Sequence, residues 1–328
     1  MPMPAASSDR KLPVTVITGY LGSGKTTLLN YLLNAQHGRR IAVIVNEFGE
    51  VGIDSQLLVT DHSEQLIEFN NGCLCCTVRG DLISTIGALR ERAETLDAIL
   101  IETTGLADPA PVAATFFVAD EIRASTRLDA FITVVDAVNV TRNLEQSVEA
   151  QEQVAFADIL LLNKCDLVDE ARLLAVEHQL RTLNPLARLH RSVNAQVDLG
   201  LLLDTHAFEL GAKLQVEPQL LKDHAHEHDP SISSFVLRES RPLDINRFMA
   251  WVGPLLQHQG DQLLRTKGVL FAKGFEQRLV FQSVRMLNSL GRLAPWPAEM
   301  PRHSEYVMIG RDLDRAALEA GFAQCVHG

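Results

Sequence analysis

The stretch from Val14 to Asn30, VTVITGYLGSGKTTLLN, constrains the fold more than any other part of the chain. An apolar strand runs directly into a glycine-rich turn, and a helix is predicted to begin near Lys25. The turn matches G-x-x-x-x-G-K-[ST], in which backbone N–H groups cradle phosphates, the lysine reaches the β- and γ-phosphates and the next hydroxyl binds Mg²⁺. The positive end of the helix dipole adds to this attraction. Lys25 and Thr26 are therefore predicted to bind a nucleoside triphosphate with Mg²⁺; the alternative is an ordinary glycine-rich turn.

Length and charge narrow the class of protein. A chain of 328 residues with 46% apolar residues can bury a large core and is long for one domain, so two domains are expected. The formal net charge of −11 disfavours a general nucleic-acid binder, which needs a basic face. No stretch is long and apolar enough to span a membrane, and the first residues lack a signal-peptide core. We therefore predict a cytoplasmic protein with no membrane and no nucleic-acid partner.

Apolar strands alternate with helical patterns as far as about Leu201. This alternation predicts an α/β fold, a P-loop NTPase domain with a mainly parallel sheet. Residues 216–230 then form a charged linker rich in histidine, and the remainder predicts a smaller α+β domain. The predicted organisation is a first domain over 1–215, a linker over 216–230 and a C-terminal domain over 231–328.

Polar residues follow two of the predicted strands. Glu102 ends the apolar run that starts at Ala98, and ligands bind at the carboxyl ends of parallel strands, so Glu102 is expected near the γ-phosphate and Mg²⁺. A role in helix capping is its alternative. N-K-x-D follows another strand at Asn163, Lys164 and Asp166. A carboxylate can accept from both the N1–H and the exocyclic amine of guanine, which favours GTP over ATP.

Three of the five cysteines, Cys73, Cys75 and Cys76, lie within four positions on a predicted loop. Thiolates are soft ligands suited to Zn²⁺ or Cu(I), and three of them leave one coordination position open for transfer. The alternative is a redox pair or reactive thiols without metal. A small-molecule kinase would use the same phosphate cradle, but it would leave the cysteines and N-K-x-D without a purpose.

Two further segments carry candidate ligands. The stretch after Asn46 places Glu47, Glu50 and Asp54 where a nucleotide-sensing loop would follow the second strand, although a solvated loop has the same composition. His224, His226 and His228 alternate in the linker, so an extended chain puts them on one side, where imidazoles can share a metal ion. A merely solvated acidic linker is the alternative.

In their order and spacing, GYLGSGKTTLLN, VNEFGEVGID, NGCLCCTVRGDL, ETTGLADP, NKCD and the tail segments QLLRTKGVLF and PRHSEYVMIG resemble the CobW family of P-loop GTPases. The resemblance implies a GTPase domain, a CobW C-terminal domain and a role in delivering a divalent metal, most often zinc. It implies that phosphate and Mg²⁺ are bound by Gly22, Ser23, Gly24, Lys25, Thr26 and Thr27. It further implies that Glu102 replaces the usual Walker B aspartate, that guanine is read by the N-K-x-D residues, and that the metal is bound by Cys73, Cys75 and Cys76. Some relatives carry a glutamate where this chain has Val45, so Glu50 or Glu47 is expected as the remaining ligand.

The expected function is a GTP-hydrolysing metallochaperone that carries Zn²⁺, with Co²⁺ or Ni²⁺ as alternative metals. Lys25, the loop N–H groups and Mg²⁺ would hold the phosphates, while Glu102 or Asp54 orients the attacking water. The sequence contains no recognisable arginine finger, so intrinsic hydrolysis is expected to be slow. The expected partners are GTP, GDP and a client metalloprotein, and a homodimer is an option. The rival functions are a passive zinc store or sensor and cobalt delivery in cobalamin synthesis.

Overall fold

The computed structural model describes residues 11–35, 38–46, 65–69, 77–90, 96–208 and 232–328. Within these ranges the chain forms a sheet of seven strands followed by a sheet of five strands. No helix in the described ranges is long and apolar enough to cross a bilayer.

Every strand pair in the first sheet is parallel. The strands are β1 (Leu12–Thr18), β2 (Ile41–Asn46), β3 (Gln65–Phe69), β4 (Ala98–Glu102), β5 (Thr126–Asp136), β6 (Ile159–Asn163) and β7 (Arg188–Arg191). Their order across the sheet is β3-β2-β4-β1-β5-β6-β7. Buried β-branched and leucine side chains dominate β1, β2, β4 and β6, as expected for parallel strands covered on both faces.

Helices cover both faces of this sheet. They are α1 (Lys25–Asn34), α2 (Thr77–Arg90), α3 (Ala110–Val118), α4 (Asp120–Ser125), α5 (Val140–Gln146), α6 (Val148–Phe156) and α7 (Glu170–Leu183). Side chains alternate between the faces of a strand. In β5, Ile132 and Val134 therefore pack in a core with leucines of α1, whereas Phe131 and Val135 pack with α6 and α7.

The second sheet is antiparallel in every pair, in the order β11-β10-β9-β12-β8. Its strands are β8 (Ile232–Glu239), β9 (Leu263–Leu270), β10 (Gln277–Val284), β11 (Leu287–Pro295) and β12 (Ser304–Arg311), with helices α8 (Ile245–Gln259) and α9 (Arg315–Gln324). Tyr306 and Met308 of β12 face an aromatic core that includes Phe248 of α8. Val307 and Ile309 face the opposite way and join the core of the first domain.

Buried and half-buried ion pairs accompany this apolar contact. The Arg265 guanidinium of β9 pairs with Asp158 and also donates to the carbonyl of Phe156; the side chains of this pair are each only 3% exposed. Arg285 donates to Asp108 at 2.8 Å. A further carboxylate, Glu152 of α6, accepts from Arg311 at 3.1 Å and lies 3.5 Å from Arg285. The C-terminal sheet is thus joined to the first domain by both apolar and charged groups.

These findings confirm the predicted fold class, a P-loop α/β domain with a smaller α+β domain behind it. The exact domain limits at 215 and 230 stay a prediction, because residues 209–231 lie outside the described ranges. Strand β11 was not predicted, since it is an edge strand without one fully buried residue and its apolar alternation is weak.

Candidate phosphate- and base-binding site

The carboxyl ends of four neighbouring strands meet at one edge of the parallel sheet. Register pairs Ile17 of β1 with Glu102 of β4, and Asp136 of β5 with Asn163 of β6. This edge therefore brings together the glycine-rich turn and the polar residues that end three other strands, Glu102, Asp136 and Asn163. Ligands of open parallel sheets bind at such an edge.

The glycine-rich turn between β1 and α1 packs too tightly for side chains at two positions. Gly19 has φ +143°, and a Cβ there would lie 2.3 Å from the carbonyl oxygen of Val134. Gly24 has φ +108°, and a Cβ there would lie 2.5 Å from Nδ2 of Asn163. Glycine is required at both positions because L side chains rarely adopt these angles and the space is already filled.

The two side chains predicted to meet the triphosphate lie at the start of α1. The Lys25 ammonium donates to the carbonyl of Gly19 at 2.9 Å, which holds it across the turn that precedes it. The Thr26 hydroxyl lies 3.4 Å from Oε1 of Glu102, whose side chain is buried. A hydroxyl next to a carboxylate is the hard oxygen donor set that Mg²⁺ prefers, so these two residues fit that ion. The turn also contains Ser23, which is 1% exposed and whose hydroxyl makes no hydrogen bond within the described part of the chain.

The buried side chain of Asn163 links three segments of the chain: the end of β6, the glycine-rich turn and the loop after β7. Its Nδ2 donates to the carbonyl of Ser23 at 3.1 Å. Its Oδ1 accepts from the backbone N–H of Ala195 at 2.8 Å and from the hydroxyl of Ser192 at 3.2 Å. Asn163 therefore positions the loop after β7 and the glycine-rich turn between β1 and α1, which is called the phosphate turn below. Direct contact of its amide with guanine stays a prediction.

Lys164 adopts the left-handed conformation, with φ 62° and ψ 34°. Its ammonium donates to the carbonyl of Gly22 at 2.8 Å and to Oδ2 of Asp136 at 2.8 Å. Asp166 lies in a short 3₁₀ turn directly after Lys164 and is exposed. A carboxylate on an exposed turn that follows Lys164, which binds the phosphate turn, is accessible to the edge of a purine base.

Asp136 is a site residue that sequence reasoning missed. The signal available in the sequence was a polar residue at the end of the apolar run of β5, the same pattern that marked Glu102 and Asn163. Burial alone would raise the pKa of this carboxyl, but hydrogen bonds from Lys164, Asn139 and the backbone of Val138 outweigh burial and hold the pKa below its ordinary value. Asp136 therefore stays ionised to a lower pH than an ordinary aspartate.

The predicted metal ligands lie outside the described residues. They are Cys73, Cys75, Cys76, Glu47, Glu50, Asp54, His224, His226 and His228. Within the described ranges no group of three or more His, Cys, Asp or Glu side chains is placed to hold a metal ion. The cysteine cluster and the His linker accordingly stay predictions.

Comparisons with known proteins place these features in a family. Residues 13–191 match the family model described as the CobW/HypB/UreG nucleotide-binding domain, and residues 232–326 match the cobalamin synthesis protein cobW C-terminal domain. The chain is 38% identical over 317 residues to the zinc chaperone YjiA of Escherichia coli (strain K12), covering 95% of this chain and 98% of that protein. It is also 37% identical over 306 residues to zinc-regulated GTPase metalloprotein activator 1 of Dictyostelium discoideum, covering 81% of this chain and 62% of that protein.

A solved structure agrees with these matches. The crystal structure of Zn(II)-bound YjiA GTPase from E. coli superposes with a TM-score of 0.76 at 34% sequence identity, covering 97% of this chain and all of that one. The first family model covers nearly all of the parallel sheet, and the second covers the antiparallel sheet. The chain therefore belongs to the CobW family, with a CobW/HypB/UreG nucleotide-binding domain followed by a CobW C-terminal domain.

Proposed function

We propose that this protein is a GTPase metallochaperone, which couples its nucleotide state to the binding and delivery of a divalent metal, zinc first among the candidates. The observation that carries the proposal is the joining of the phosphate turn to the N-K-x-D loop, through Asn163 to Ser23 and through Lys164 to Gly22. A relative named as a zinc chaperone and another named as a zinc-regulated GTPase metalloprotein activator support the metal and the client.

The proposed chemistry at the phosphates is positioning and charge neutralisation. Lys25 and the backbone N–H groups of residues 22–27 would hold the β- and γ-phosphates at the helix start. Thr26 and Glu102 would hold Mg²⁺, which neutralises charge that develops on the leaving phosphate. Glu102 or Asp54 would orient the attacking water. Lys25→Ala is expected to abolish turnover while far-UV circular dichroism stays that of the wild type, since the ammonium donates to the carbonyls of Gly19 and Tyr20 in its own turn.

Base selectivity is tested at Asp166. GTP is expected to bind more tightly than ATP because only guanine offers two donors to this carboxylate. Asp166→Asn is expected to shift preference toward xanthosine triphosphate. The matched control is Asp169→Asn: Asp169 is also exposed, lies three residues further on, and caps α7 by accepting from the N–H of Arg172. Equal affinity of the wild type for ATP and GTP would contradict the GTPase assignment.

The metal step is proposed at Cys73, Cys75 and Cys76, with Glu47 or Glu50 as a further ligand and the His linker as a collecting site. GTP and Zn²⁺ are expected to bind cooperatively, by roughly 5- to 150-fold as for typical coupled sites. Zinc affinity is measured by chelator competition in the presence of GDP and of a non-hydrolysable GTP analogue. Cys75→Ser and Cys76→Ser are expected to remove the coupling, whereas Cys165→Ser, outside the cluster, is expected to keep it. Identical zinc affinities in both nucleotide states would instead indicate a passive store.

A further inference from the structure

We infer that Asp136 is a positioning residue for nucleotide binding, which holds the Lys164 ammonium against the carbonyl of Gly22 in the phosphate turn. The inference rests on the proposed nucleotide-binding function and extends it to a residue outside the G-x-x-x-x-G-K-[ST] and N-K-x-D patterns. Asp136 is expected to contact no nucleotide itself and to act through Lys164.

The parallel register supplies the geometry. Asp136 and Asn163 are paired as the last residues of β5 and β6, so Lys164 begins where both strands end. Its ammonium reaches Oδ2 of Asp136 and the carbonyl of Gly22, each at 2.8 Å. The Asp136 side chain is 5% exposed and the Lys164 side chain 33% exposed. The buried carboxylate thus anchors a lysine whose other side is open to solvent.

The carboxylate is itself fixed in direction. Oδ1 accepts from the backbone N–H of Val138 at 2.8 Å, and Oδ2 accepts from the side-chain amide of Asn139 at 2.9 Å as well as from Lys164. An acceptor that is held on both oxygens gives the ammonium a defined position rather than a range of positions. This matters at Lys164 because its backbone is in the left-handed region, where L residues other than Asn and Asp are uncommon.

The consequence concerns nucleotide affinity. Lys164 and Asn163 each donate to a carbonyl of the phosphate turn, to Gly22 and to Ser23. Losing the Asp136 charge would release the ammonium from one of its two partners, and the Gly22 carbonyl would then hold it alone. The N-K-x-D loop and the phosphate turn would then be held together less firmly before the nucleotide binds. Binding would have to order them, which lowers the affinity for the whole nucleotide.

A purely structural role for Asp136 is the competing explanation, since its Oδ1 stabilises the turn before α5. Asp136→Asn separates the two roles, because asparagine retains an oxygen for the Val138 N–H but lacks the charge that pairs with Lys164. A double-mutant cycle with Lys164→Ala then isolates the pair, since residues that act together give non-additive effects. The matched control is Asp129→Asn. Asp129 is a buried, ion-paired aspartate near the other end of the same strand, where it binds Arg127 and the backbone N–H of His206.

Dissociation constants for GDP and ADP are measured by calorimetry for the wild type, Asp136→Asn, Lys164→Ala, the double variant and Asp129→Asn. Asp136→Asn is expected to weaken binding roughly three- to tenfold, the effect of one partly exposed charge-assisted hydrogen bond. It is expected to cause no further loss in the Lys164→Ala background, and Asp129→Asn is expected to keep wild-type affinity. Wild-type affinity in Asp136→Asn, or an equal loss in the presence and absence of Lys164, would overturn the inference. A wild type that does not prefer GDP to ADP would overturn the proposed function instead, and the cycle is then read on the nucleotide that binds.

Discussion

Lys267 of β9 tests how the C-terminal sheet packs against the first domain, because this lysine is buried where the two domains meet. It is 5% exposed, and its ammonium donates to the carbonyl of Ala207 in the first domain at 3.1 Å. Burial lowers its pKa from 10.5 to about 8; Asp158 opposes this change, whereas the cations Arg265 and Arg188 add to it. The charged form of Lys267 is therefore disfavoured in the folded protein.

The sign of the pH effect follows from this lowered pKa. Above pH 8 the folded state releases the Lys267 proton, while the unfolded state keeps it up to about pH 10.5. Over this window the unfolded state binds more protons, so the free energy of unfolding rises with pH. At about 1.4 kcal/mol per pH unit, the window corresponds to roughly 3 kcal/mol. Below pH 8 the folded protein bears this full cost.

Lys267→Met removes the titrating group but keeps most of the side-chain volume. The free energy of unfolding is measured by urea titration from pH 7.5 to 10.5, and the variant is subtracted from the wild type so that other titrating groups cancel. At pH 7.5 the variant is expected to be more stable by about 2 kcal/mol, because the lost hydrogen bond to Ala207 offsets about 1 kcal/mol of the gain. The wild type is expected to recover roughly 3 kcal/mol relative to the variant as pH rises. Lys273→Met, at an exposed lysine of the same domain, is the control for replacing a lysine by methionine. A constant difference between wild type and Lys267→Met would refute the reasoning.

Three further predictions use the same unfolding and binding assays. Arg265→Ala is expected to cost about 3 to 5 kcal/mol in urea unfolding, because it leaves Asp158 as a buried charge without its guanidinium partner; a loss below 1 kcal/mol would contradict this. Burial first, and a neighbouring carboxylate second, raise the pKa of Glu152 despite its two arginine partners. The stability from this group is present below pH 4.5 and is lost as pH rises through the raised pKa, so the free energy of unfolding of Glu152→Gln should fall less than that of the wild type as pH rises above 4.5; the same pH dependence in both proteins would contradict this. Gly24→Ala should abolish nucleotide binding in calorimetry and cost about 1 to 3 kcal/mol, because a Cβ there would lie 2.5 Å from Nδ2 of Asn163; wild-type binding would contradict the packing argument.

The phosphate turn could be predicted from sequence because its geometry is local. Gly19, Gly24 and Lys25 are separated by so few residues that their spacing alone fixes the turn, and α1 begins at Lys25 as predicted. The parallel sheet could be predicted for a related reason, since each buried strand carries its own apolar run. In both cases the residues that decide the prediction lie within one short segment of the chain.

The partners of Lys164 could not be predicted in this way. Asp136 lies 28 positions before it and Gly22 lies 142 positions before it, so their meeting depends on which strands are neighbours. The ion pair of Arg265 with Asp158 spans 107 positions and two domains. A composition or periodicity argument cannot assign such pairs, because arginine and aspartate are common on exposed surfaces and only the packing of the two sheets buries these two.

Strand β5 indicates how stability and ligand binding are divided along the parallel sheet. Near its start, Asp129 lies at a register shift with β1 and accepts from Arg127 and from the backbone of residues 205 and 206, contacts that close the chain back onto the sheet. At its end, Asp136 binds Lys164 beside the phosphate turn. Both aspartates are buried, yet Asp129 holds a chain segment and Asp136 holds the Lys164 ammonium at the edge where ligands bind. Burial of a charged residue therefore does not separate structural from functional positions in this fold. The two kinds of position are separated by the partner that the charge holds and by the end of the strand on which the residue lies.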